Sequence, residues 1–313
     1  MDARRCPYPG RGQAAGGGLN GACLSRVKID HEFLVLEHET TRLTLDPHRG
    51  GTIRDFTWRG QDVLRPTPAH AGGEPFETAC FPMVPFANRV AHGHFNFGGR
   101  EVQLERNWNE DPHPLHGHGW RTSWAVVGRT ASSARVSFEG SEDQWPWRFR
   151  CEQFFRLMQD GLAVELSIDN LSQAPMPVML GLHPYFHDAA HAQLQAELPR
   201  VWLTDDAALP VRQTPTPTDW RFEPRRAINA VPLDHSFSGW NGFASLRWPD
   251  RTVTLRATHC NHLHVYAPAG KDLFCVEPQT AAAGALGRNG GEATVVAPGQ
   301  RFGIRVNFMV GAS

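Results

Sequence analysis

Histidine is the residue type that first points to chemistry in this sequence, which contains 16 of them. His113, His116 and His118 stand close together in the segment PHPLHGHGW, and His183 stands in the segment LGLHPYF. An imidazole has an ordinary pKa of about 6.5, so it can accept or donate a proton near neutral pH. These positions are therefore candidates for acid–base chemistry in or beside loops. The alternative for each of them is a hydrogen-bonded loop residue without a catalytic role.

The spacing of the three neighbouring histidines also raises the alternative of a metal site. His116 and His118 are two residues apart, and His113 precedes His116 by three. Zinc sites in proteins need three or four ligands with further hydrogen bonds behind them. No cysteine or carboxylate stands at a recognisable ligand spacing from these histidines. We therefore expect no metal here.

Glu277 is a second candidate functional group. It follows the apolar run LFCV and precedes Pro278, which predicts a position at the end of a strand. In such a strand Leu273, Cys275 and Glu277 lie on the same face. A carboxylate among buried side chains is costly unless it is paired or functional. The alternative is a solvated glutamate at a strand end.

Two further polar positions stand in unusual surroundings. Arg89, preceded by Asn88, lies in the otherwise apolar stretch FPMVPFANRV, and its planar guanidinium suits carboxylates, phosphates or polyols. Asp234 precedes His235 in the segment LDHSFSGWNG, which we predict to be a loop. A salt bridge for Arg89 and a turn cap for Asp234 are the alternatives.

The elements that must position these residues are β-strands. Apolar and polar residues alternate with a period of two along much of the chain, and helical periodicity is almost absent, which is typical of strands with one buried face. Asp160-Gly161 and Pro249–Arg251 predict hairpin turns. The predicted strands are Phe33–Glu37, Arg42–Leu45, Thr52–Trp58, Trp124–Gly128, Ala134–Phe138, Gly161–Asp169, Phe243–Trp248, Thr252–Ala257, His262–Tyr266, Leu273–Glu277 and Phe302–Val310.

The pattern predicts an all-β fold, a single large antiparallel β-sandwich over residues 29–313, with 30 Gly and 24 Pro available for turns. Residues 1–28 read as a flexible tail rich in Gly, Pro and Arg, without the unbroken apolar core of a signal peptide. The connections 66–92, 106–122 and 205–242 are predicted to be long functional loops.

Composition narrows the class of protein further. The 313 residues carry 31 Lys and Arg against 32 Asp and Glu, a net charge of −1, whereas nucleic-acid binders carry a basic surface. No apolar run approaches the roughly 20 residues of a membrane span. The six cysteines include no C-x-x-C pair, which favours reduced thiols and a cytoplasmic location. We expect no nucleic-acid or membrane partner, and a monomer or homodimer.

Six segments of the chain, in this order, resemble motifs of the aldose 1-epimerases (galactose mutarotases). The resemblance extends from about residue 30 to residue 313. It implies a galactose mutarotase-like β-sandwich (supersandwich) that interconverts the α and β anomers of a free aldose by acid–base ring opening and closure, without a cofactor. The only partner it implies is a small-molecule monosaccharide. The segments are GGTIRDFTWRGQDVL, FPMVPFANRV, LHGHGW, GLHPYF, LDHSFSGWNG and VEPQT.

The resemblance also implies roles for individual residues. Glu277 corresponds to the general base that takes the proton of the anomeric hydroxyl. His183 corresponds to the general acid that protonates the ring oxygen, with His116 hydrogen-bonding beside it. The implied sugar-binding residues are Arg89 and Asp234, with Asn88 as a support for Arg89.

Three other functions stay open at this stage. A mutarotase-like epimerase for a modified sugar such as a hexose 6-phosphate needs several arginines at the site, whereas only Arg89 lies in a matching motif. The second alternative is a non-catalytic carbohydrate-binding module. Such a module would not need His183 and Glu277, so the presence of both residues counts against it. A glycoside hydrolase or lyase needs two carboxylates, for which Asp234 and Glu277 are the candidates.

Overall fold

The structure is a computed structural model that describes residues 33–69, 71, 74–143, 145–287 and 292–313. Within these ranges the chain folds into β-strands joined by turns and short 3₁₀ helices. The strands are β1 (Leu34–His38), β2 (Thr41–Asp46), β3 (Thr52–Trp58), β4 (Gln61–Asp62), β5 (Cys80–Met83), β6 (His94–Phe97), β7 (Arg100–Gln103), β8 (Ala125–Arg129), β9 (Ser133–Gly140), β10 (Phe149–Met158), β11 (Gly161–Asn170), β12 (Met176–Val178), β13 (Gly181–His187), β14 (Gln193–Ala196), β15 (Arg200–Thr204), β16 (Pro210–Pro215), β17 (Phe222–Ala227), β18 (Leu233–Ser238), β19 (Phe243–Arg247), β20 (Arg251–Thr258), β21 (His262–Ala267), β22 (Leu273–Gln279), β23 (Thr294–Val296) and β24 (Arg301–Ala312). The 3₁₀ helices are Pro75–Glu77, Ala91–Gly93, Gly119–Arg121 and Thr218–Trp220.

Two large antiparallel sheets make up most of the described fold. The first has eleven strands in the order β1-β2-β3-β5-β13-β22-β21-β18-β15-β16, with β4 paired to β3. The second has nine strands in the order β17-β14-β19-β20-β24-β11-β10-β9-β8. Two further pairs, β6-β7 and β12-β23, lie outside these sheets.

The apolar faces of both sheets share one hydrophobic core. In the nine-stranded sheet, Leu166 of β11 and Phe308 of β24 are buried, and in the eleven-stranded sheet Leu43 and Phe56 join the same core. Alternate positions face outward, as the period of two in the sequence requires. The predicted all-β antiparallel sandwich is confirmed.

Central strands β13 and β22 are buried on both faces, because they lie between the second sheet and a layer of loops. On one face Phe186 and Phe274 stack at 5.5 Å, and Phe274 also reaches Trp248, which follows β19 of the second sheet. The opposite face carries His183 and Glu277. The chemistry-bearing side chains therefore point away from the sandwich core, towards the loops.

The strand predictions hold wherever the alternation is clear, and both hairpin predictions are confirmed by the β10–β11 and β19–β20 pairs. The loop predictions are wrong in part. Segment 106–122 contains no strand, but 66–92 contains β5 and 205–242 contains β16, β17 and β18. Strand β5 is buried throughout and so lacks an alternating pattern, while β16 and β17 contain proline and have only one buried residue between them.

Some sequence predictions fall outside the described residues. The tail 1–28, the domain boundary at residue 29, and Cys6 and Cys23 belong to this group. The four cysteines within the described ranges are free and buried, namely Cys80, Cys151, Cys260 and Cys275. No helix in these ranges is long and apolar enough to cross a bilayer.

Candidate active site

The register of five neighbouring strands aligns functional side chains in a single row. Strand β13 pairs with β5 so that His183 faces Phe81, and pairs with β22 so that His183 lies opposite Glu277. Glu277 in turn pairs with His264 of β21, and His264 pairs with Ser236 of β18. Side chains directly opposite in an antiparallel pair have Cβ atoms about 5 Å apart. The sheet therefore brings together residues that are far apart in the sequence.

Asp234 belongs to the next row on the same face of the sheet. Tyr185, Cys275, Tyr266 and Asp234 follow one another across β13, β22, β21 and β18. The prediction that Asp234 lies in a loop is wrong, because β18 pairs with β21 along its whole length. The side chain of Asp234 is 41 % exposed, which leaves its carboxylate open towards a ligand.

Two loops bring Asn88 and His116 over this face of the sheet. The Asn88 N–H donates to His116 Nδ1 at 3.1 Å, and the His116 N–H donates to the Asn88 carbonyl at 3.1 Å. Because Nδ1 accepts this bond, neutral His116 carries its hydrogen on Nε2. Burial lowers the pKa of His116 well below its ordinary value, and the charges of His183 and Arg89 act in the same direction. The two loops can approach each other this closely because residue 117 is a glycine. A Cβ at Gly117 would lie 2.2 Å from the Val84 carbonyl oxygen.

Arg89 is held at the site by an ion pair. Its Nε lies 2.8 Å from Asp111 Oδ2, and the side chains of Arg89 and Asp111 are 12 % and 7 % exposed. The second oxygen of Asp111 accepts the His113 N–H at 2.9 Å. Asn88 Oδ1 accepts the Arg89 N–H at 2.9 Å, as expected for a supporting residue. Arg89 thus forms the salt bridge that was considered as its alternative role, and it also lies at the pocket.

The six residues to which the resemblance assigns roles line one pocket, whereas the other two candidates, His113 and His118, are not part of its lining. The space enclosed by its lining, including the part that is open to solvent, is about 360 Å³. Sequence reasoning missed three residues of its lining, His264, Tyr266 and Leu115. The complete lining is Asn88, Arg89, Leu115, His116, His183, Asp234, His264, Tyr266 and Glu277.

His183 and Glu277 form the buried centre of the pocket. His183 Nε2 lies 3.3 Å from Glu277 Oε1, and Glu277 Oε2 accepts a hydrogen bond from Gln279 Nε2 at 3.1 Å. Both residues lie inside strands rather than in a loop or at a strand end, which corrects their predicted positions. The strand continues through Pro278 because Gln279 still pairs with neighbours on both sides.

Burial shifts the acid–base properties of this pair in opposite directions. It raises the pKa of Glu277 to about 7, even though the charge of His264 opposes the change. It lowers the pKa of His183 well below its ordinary value. Groups this close titrate as a coupled pair. Between the two shifted pKa values the pair holds one proton, mainly on Glu277, and the form with a Glu277 carboxylate and a His183 imidazolium is its minor tautomer. From that form the pair can release one proton and take up another.

His264 is the histidine of the pocket that the sequence analysis missed. It is 6 % exposed, and its Nε2 donates to Asp234 Oδ1 at 2.9 Å. The only signal for it was the alternation HLHVYA, which puts His262, His264 and Tyr266 on one face of a predicted strand. The pairing of β21 with β22, which places it beside Glu277, is not visible in the sequence.

One group of possible metal ligands occurs among the described residues, and it is not the histidine cluster 113–118. His183, Cys275 and Glu277 bring their ligand atoms within 4.8 Å of one another. Burial raises the pKa of Cys275 well above its ordinary value, and this disfavours the thiolate that binds metals. The ring nitrogens of the three neighbouring histidines do not all lie within this distance of one another.

A larger groove, of about 720 Å³, lies on the outer face of the nine-stranded sheet. Its arginines are paired with acidic neighbours; for example, Arg301 Nε lies 2.7 Å from Asp169. Arg135 likewise pairs with Glu152. Such exposed ion pairs are ordinary surface features. The buried, pKa-shifted cluster around Glu277 is therefore the stronger candidate for an active site.

Comparisons with known proteins confirm the family resemblance. The sequence model of the aldose 1-epimerase family matches residues 33–308. The uncharacterized Escherichia coli K12 protein YphB is 32 % identical over 295 residues, covering 88 % of this chain and 98 % of YphB. Human galactose mutarotase is 32 % identical over 176 residues, 53 % of this chain and 49 % of the human protein.

Solved structures show the same fold. The crystal structure of an Escherichia coli K12 protein provisionally assigned as an aldose 1-epimerase aligns with a TM-score of 0.84 at 28 % identity, covering 90 % of this chain and 99 % of that one. A galactose mutarotase-like protein from Clostridium acetobutylicum aligns with a TM-score of 0.81 over 90 % of this chain and 96 % of its own. At 18 % identity, this second likeness concerns the fold alone.

Proposed function

Since the chain belongs to the aldose 1-epimerase family, we propose that it is an isomerase that interconverts the α and β anomers of a free, uncharged aldose. The observation that carries the proposal is the 3.3 Å separation of His183 Nε2 from Glu277 Oε1. One imidazole and one carboxylate face the same pocket, beside groups suited to sugar hydroxyls.

Ring opening needs one proton removed and one delivered. The Glu277 carboxylate takes the proton of the anomeric hydroxyl, while the imidazolium of His183 gives its proton to the ring oxygen. The bond between the anomeric carbon and the ring oxygen breaks, and the open-chain aldehyde forms. Each well-positioned group of this kind typically contributes about 10²–10⁴-fold to the rate.

Ring closure uses the same two residues in exchanged roles. After rotation about the first carbon–carbon bond, neutral His183 takes the proton of the attacking hydroxyl. Protonated Glu277 then gives its proton to the carbonyl oxygen. Both residues return to their starting states, so that the cycle consumes no proton, electron or co-reactant.

The other predicted residues orient the sugar. Arg89, fixed by Asp111, offers hydrogen-bond donors, and the exposed oxygen surface of Asp234 offers an acceptor for a hydroxyl. His116 presents its Nε2–H beside His183, with the two rings 5.2 Å apart. Holding a reactant in one orientation lowers the entropic part of the barrier.

The charges of the pocket favour an uncharged sugar over a phosphorylated one. Its lining contains one arginine, Arg89, and that guanidinium is paired with Asp111. Asp234 and Glu277 add negative charge to the same cavity. Phosphate recognition normally uses several unneutralised cationic donors.

Polarimetry or proton NMR on freshly dissolved α-anomers of glucose, galactose and a pentose tests the proposal. We expect the protein to accelerate anomer interconversion above the spontaneous rate, and the double variant His183→Asn/Glu277→Gln to lose this effect. If no aldose reacts faster, the proposal is wrong. Acceleration confined to a hexose 6-phosphate would favour the modified-sugar alternative, and reducing ends released from an oligosaccharide would favour a hydrolase.

A further inference from the structure

We propose that His264 is a positioning residue of this site, which fixes the Asp234 carboxylate and, as a buried cation beside Glu277, sets the pH range in which the His183–Glu277 pair works. The inference rests on the proposed anomer interconversion. His264 acts on the His183–Glu277 pair from the adjacent strand β21, and not by contacting the sugar.

Two contacts of His264 are those of a ring protonated on both nitrogens, whereas the third comes from the donor nitrogen of the Asn88 amide and is longer. Nε2 donates to Asp234 Oδ1 at 2.9 Å, and Nδ1 lies 3.0 Å from Ser236 Oγ. Ser236 Oγ also accepts the Ala283 N–H at 3.2 Å. The Asn88 amide nitrogen is farther from Nδ1, at 3.4 Å. The ring is thereby held in one orientation on the floor of the pocket.

The ionisable groups around His264 come from several elements. Glu277 on β22 and Asp234 on β18 are negative, whereas Arg89, in the loop after β5, is positive. His183 on β13 and the loop residue His116 are further neighbours, and burial lowers the pKa of each. His235 on β18 also interacts with His264, and its pKa is likewise lowered by burial.

The two carboxylates decide the charge of His264. Burial alone lowers the pKa of His264, but the negative charges of Glu277 and Asp234 and the hydrogen bond to Asp234 outweigh burial and raise it. The effect is reciprocal. Burial raises the pKa of Asp234, yet the hydrogen bond and charge of His264 bring it down to about 2.

The same cation acts on Glu277. Burial and the nearby Asp234 charge both favour the protonated carboxyl of Glu277, and the charge of His264 is the largest opposing influence. Without that cation, the His183–Glu277 pair would keep its protons to higher pH. The pair is reactive only while it holds one proton. Each apparent pKa in the pH profile of the reaction would therefore rise.

The variant His264→Gln tests this role because it removes the charge and keeps a polar side chain of moderate size. We expect the pH profile of kcat/KM, corrected for spontaneous mutarotation, to move by about one pH unit towards alkaline pH. The matched control is His262→Gln, on the same face of β21 but outside the pocket lining, for which we expect an unshifted profile. Loss of activity by the same factor at every pH, or an unshifted profile in His264→Gln, would overturn the proposal.

Nitrogen-15 NMR of histidine-labelled protein gives a second test that does not need turnover. Through-bond connectivities from the assigned backbone identify the ring, and we expect both of its nitrogens to be protonated at pH 7 in the unaltered protein. A neutral ring would overturn the proposal even if His264→Gln fails to fold. If no aldose is turned over but the ring is doubly protonated, the proposed function fails and the assignment of a buried cation stands.

Discussion

His183 and Glu277 lie opposite each other on adjacent central strands, β13 and β22, with His183 Nε2 3.3 Å from Glu277 Oε1. Their separation is therefore set by the hydrogen-bond ladder of the sheet rather than by loop conformation. Groups held by strands are positioned more accurately than groups held by loops. The loops add residues that line the sides of the pocket, such as Arg89 and His116.

Replacing either member of this pair should abolish most activity without unfolding the chain. In Glu277→Gln the base is lost, and in His183→Asn the acid is lost. We expect kcat/KM to fall by about 10²–10⁴-fold in each case, with an unchanged circular dichroism spectrum. His191→Asn, at a surface histidine bonded to Asp188, should retain full activity. Near-normal rates in either site variant would contradict the assigned roles.

The pH dependence of the unaltered enzyme should show the proton shared by this pair. With the pKa of Glu277 raised to about 7 and that of His183 lowered, the pair loses its single proton as the pH rises above about 7. The acid is then missing, so kcat/KM should fall about tenfold per pH unit above that point. NMR measurements between pH 5.5 and 9, corrected for the spontaneous reaction, would reveal this limb. A kcat/KM that rises through pH 7 would mean that the reactive pair carries no proton.

The buried Glu277 should also reduce stability at alkaline pH. Its pKa is raised from an ordinary 4.5 to about 7 in the folded protein, so the folded state binds more protons than the unfolded state between these values. Its contribution to stability is complete below the unfolded pKa and is lost as the pH rises through the folded pKa. A shift of this size corresponds to about 3 kcal/mol.

Glu277→Gln, which cannot ionise, isolates this effect. We expect its free energy of unfolding in urea to exceed that of the unaltered protein by about 3 kcal/mol at pH 8, and the difference to shrink towards pH 5. A difference that stays constant between the two pH values would show that the carboxylate is not destabilised by its surroundings. The expected result makes Glu277 a residue that is retained for function at a cost in stability.

Much of this fold could be predicted from the sequence because strands with one buried face leave an alternating pattern. Strands such as β11 and β24 are of this kind, and they were found within one or two residues. The strands that carry the site are harder to interpret, since β5 and β13 are buried on both faces and show little alternation. Asp234 was assigned to a loop for a different reason, because its strand has only two apolar residues, Leu233 and Phe237, and continues into the turn-rich segment SGWNG.

The site could be predicted only as a set of residue types. The order of the motifs pointed to His183, Glu277, Arg89 and Asp234, but their contacts depend on which strands are neighbours. The strand order β13-β22-β21-β18 joins segments in an order unlike that of the chain. His264 was missed because its importance comes wholly from this order.

Asp111, a partner of Arg89 that sequence reasoning also missed, provides a further prediction. Asp111→Asn keeps an acceptor for the His113 N–H but removes the charge facing Arg89 Nε. A hydrogen bond between charged groups contributes about 1.5–3 kcal/mol, so we expect KM for the aldose to rise about tenfold or more while kcat changes much less. Glu101→Gln, at an exposed carboxylate bonded to His94, is the control. An unchanged KM in Asp111→Asn would show that Arg89 does not depend on this ion pair.

Gly181 provides a test of how the sheet positions the base. A Cβ at this residue would lie 3.1 Å from Gln279 Cγ, 3.0 Å from the Pro278 carbonyl oxygen and 2.6 Å from Met83 Cε. Gln279 is fully buried and donates to Glu277 Oε2. Gly181→Ala should therefore displace Gln279 and, through it, the carboxylate. A misplacement of about 1 Å can cost about 10²-fold in rate, so we expect the shift of a few tenths of an ångström required here to lower kcat severalfold.

The control for this substitution is Gly311→Ala, because no atom lies within 4 Å of a Cβ at that strand residue. The variant Gln279→Leu should lower kcat by removing the hydrogen bond to Glu277. If Gly181→Ala acts through Gln279, the double variant Gly181→Ala/Gln279→Leu should be little worse than Gln279→Leu alone, since coupled positions are not additive. Fully additive losses in kcat would show instead that the methyl group acts elsewhere, and that the space left by Gly181 does not serve to orient Glu277.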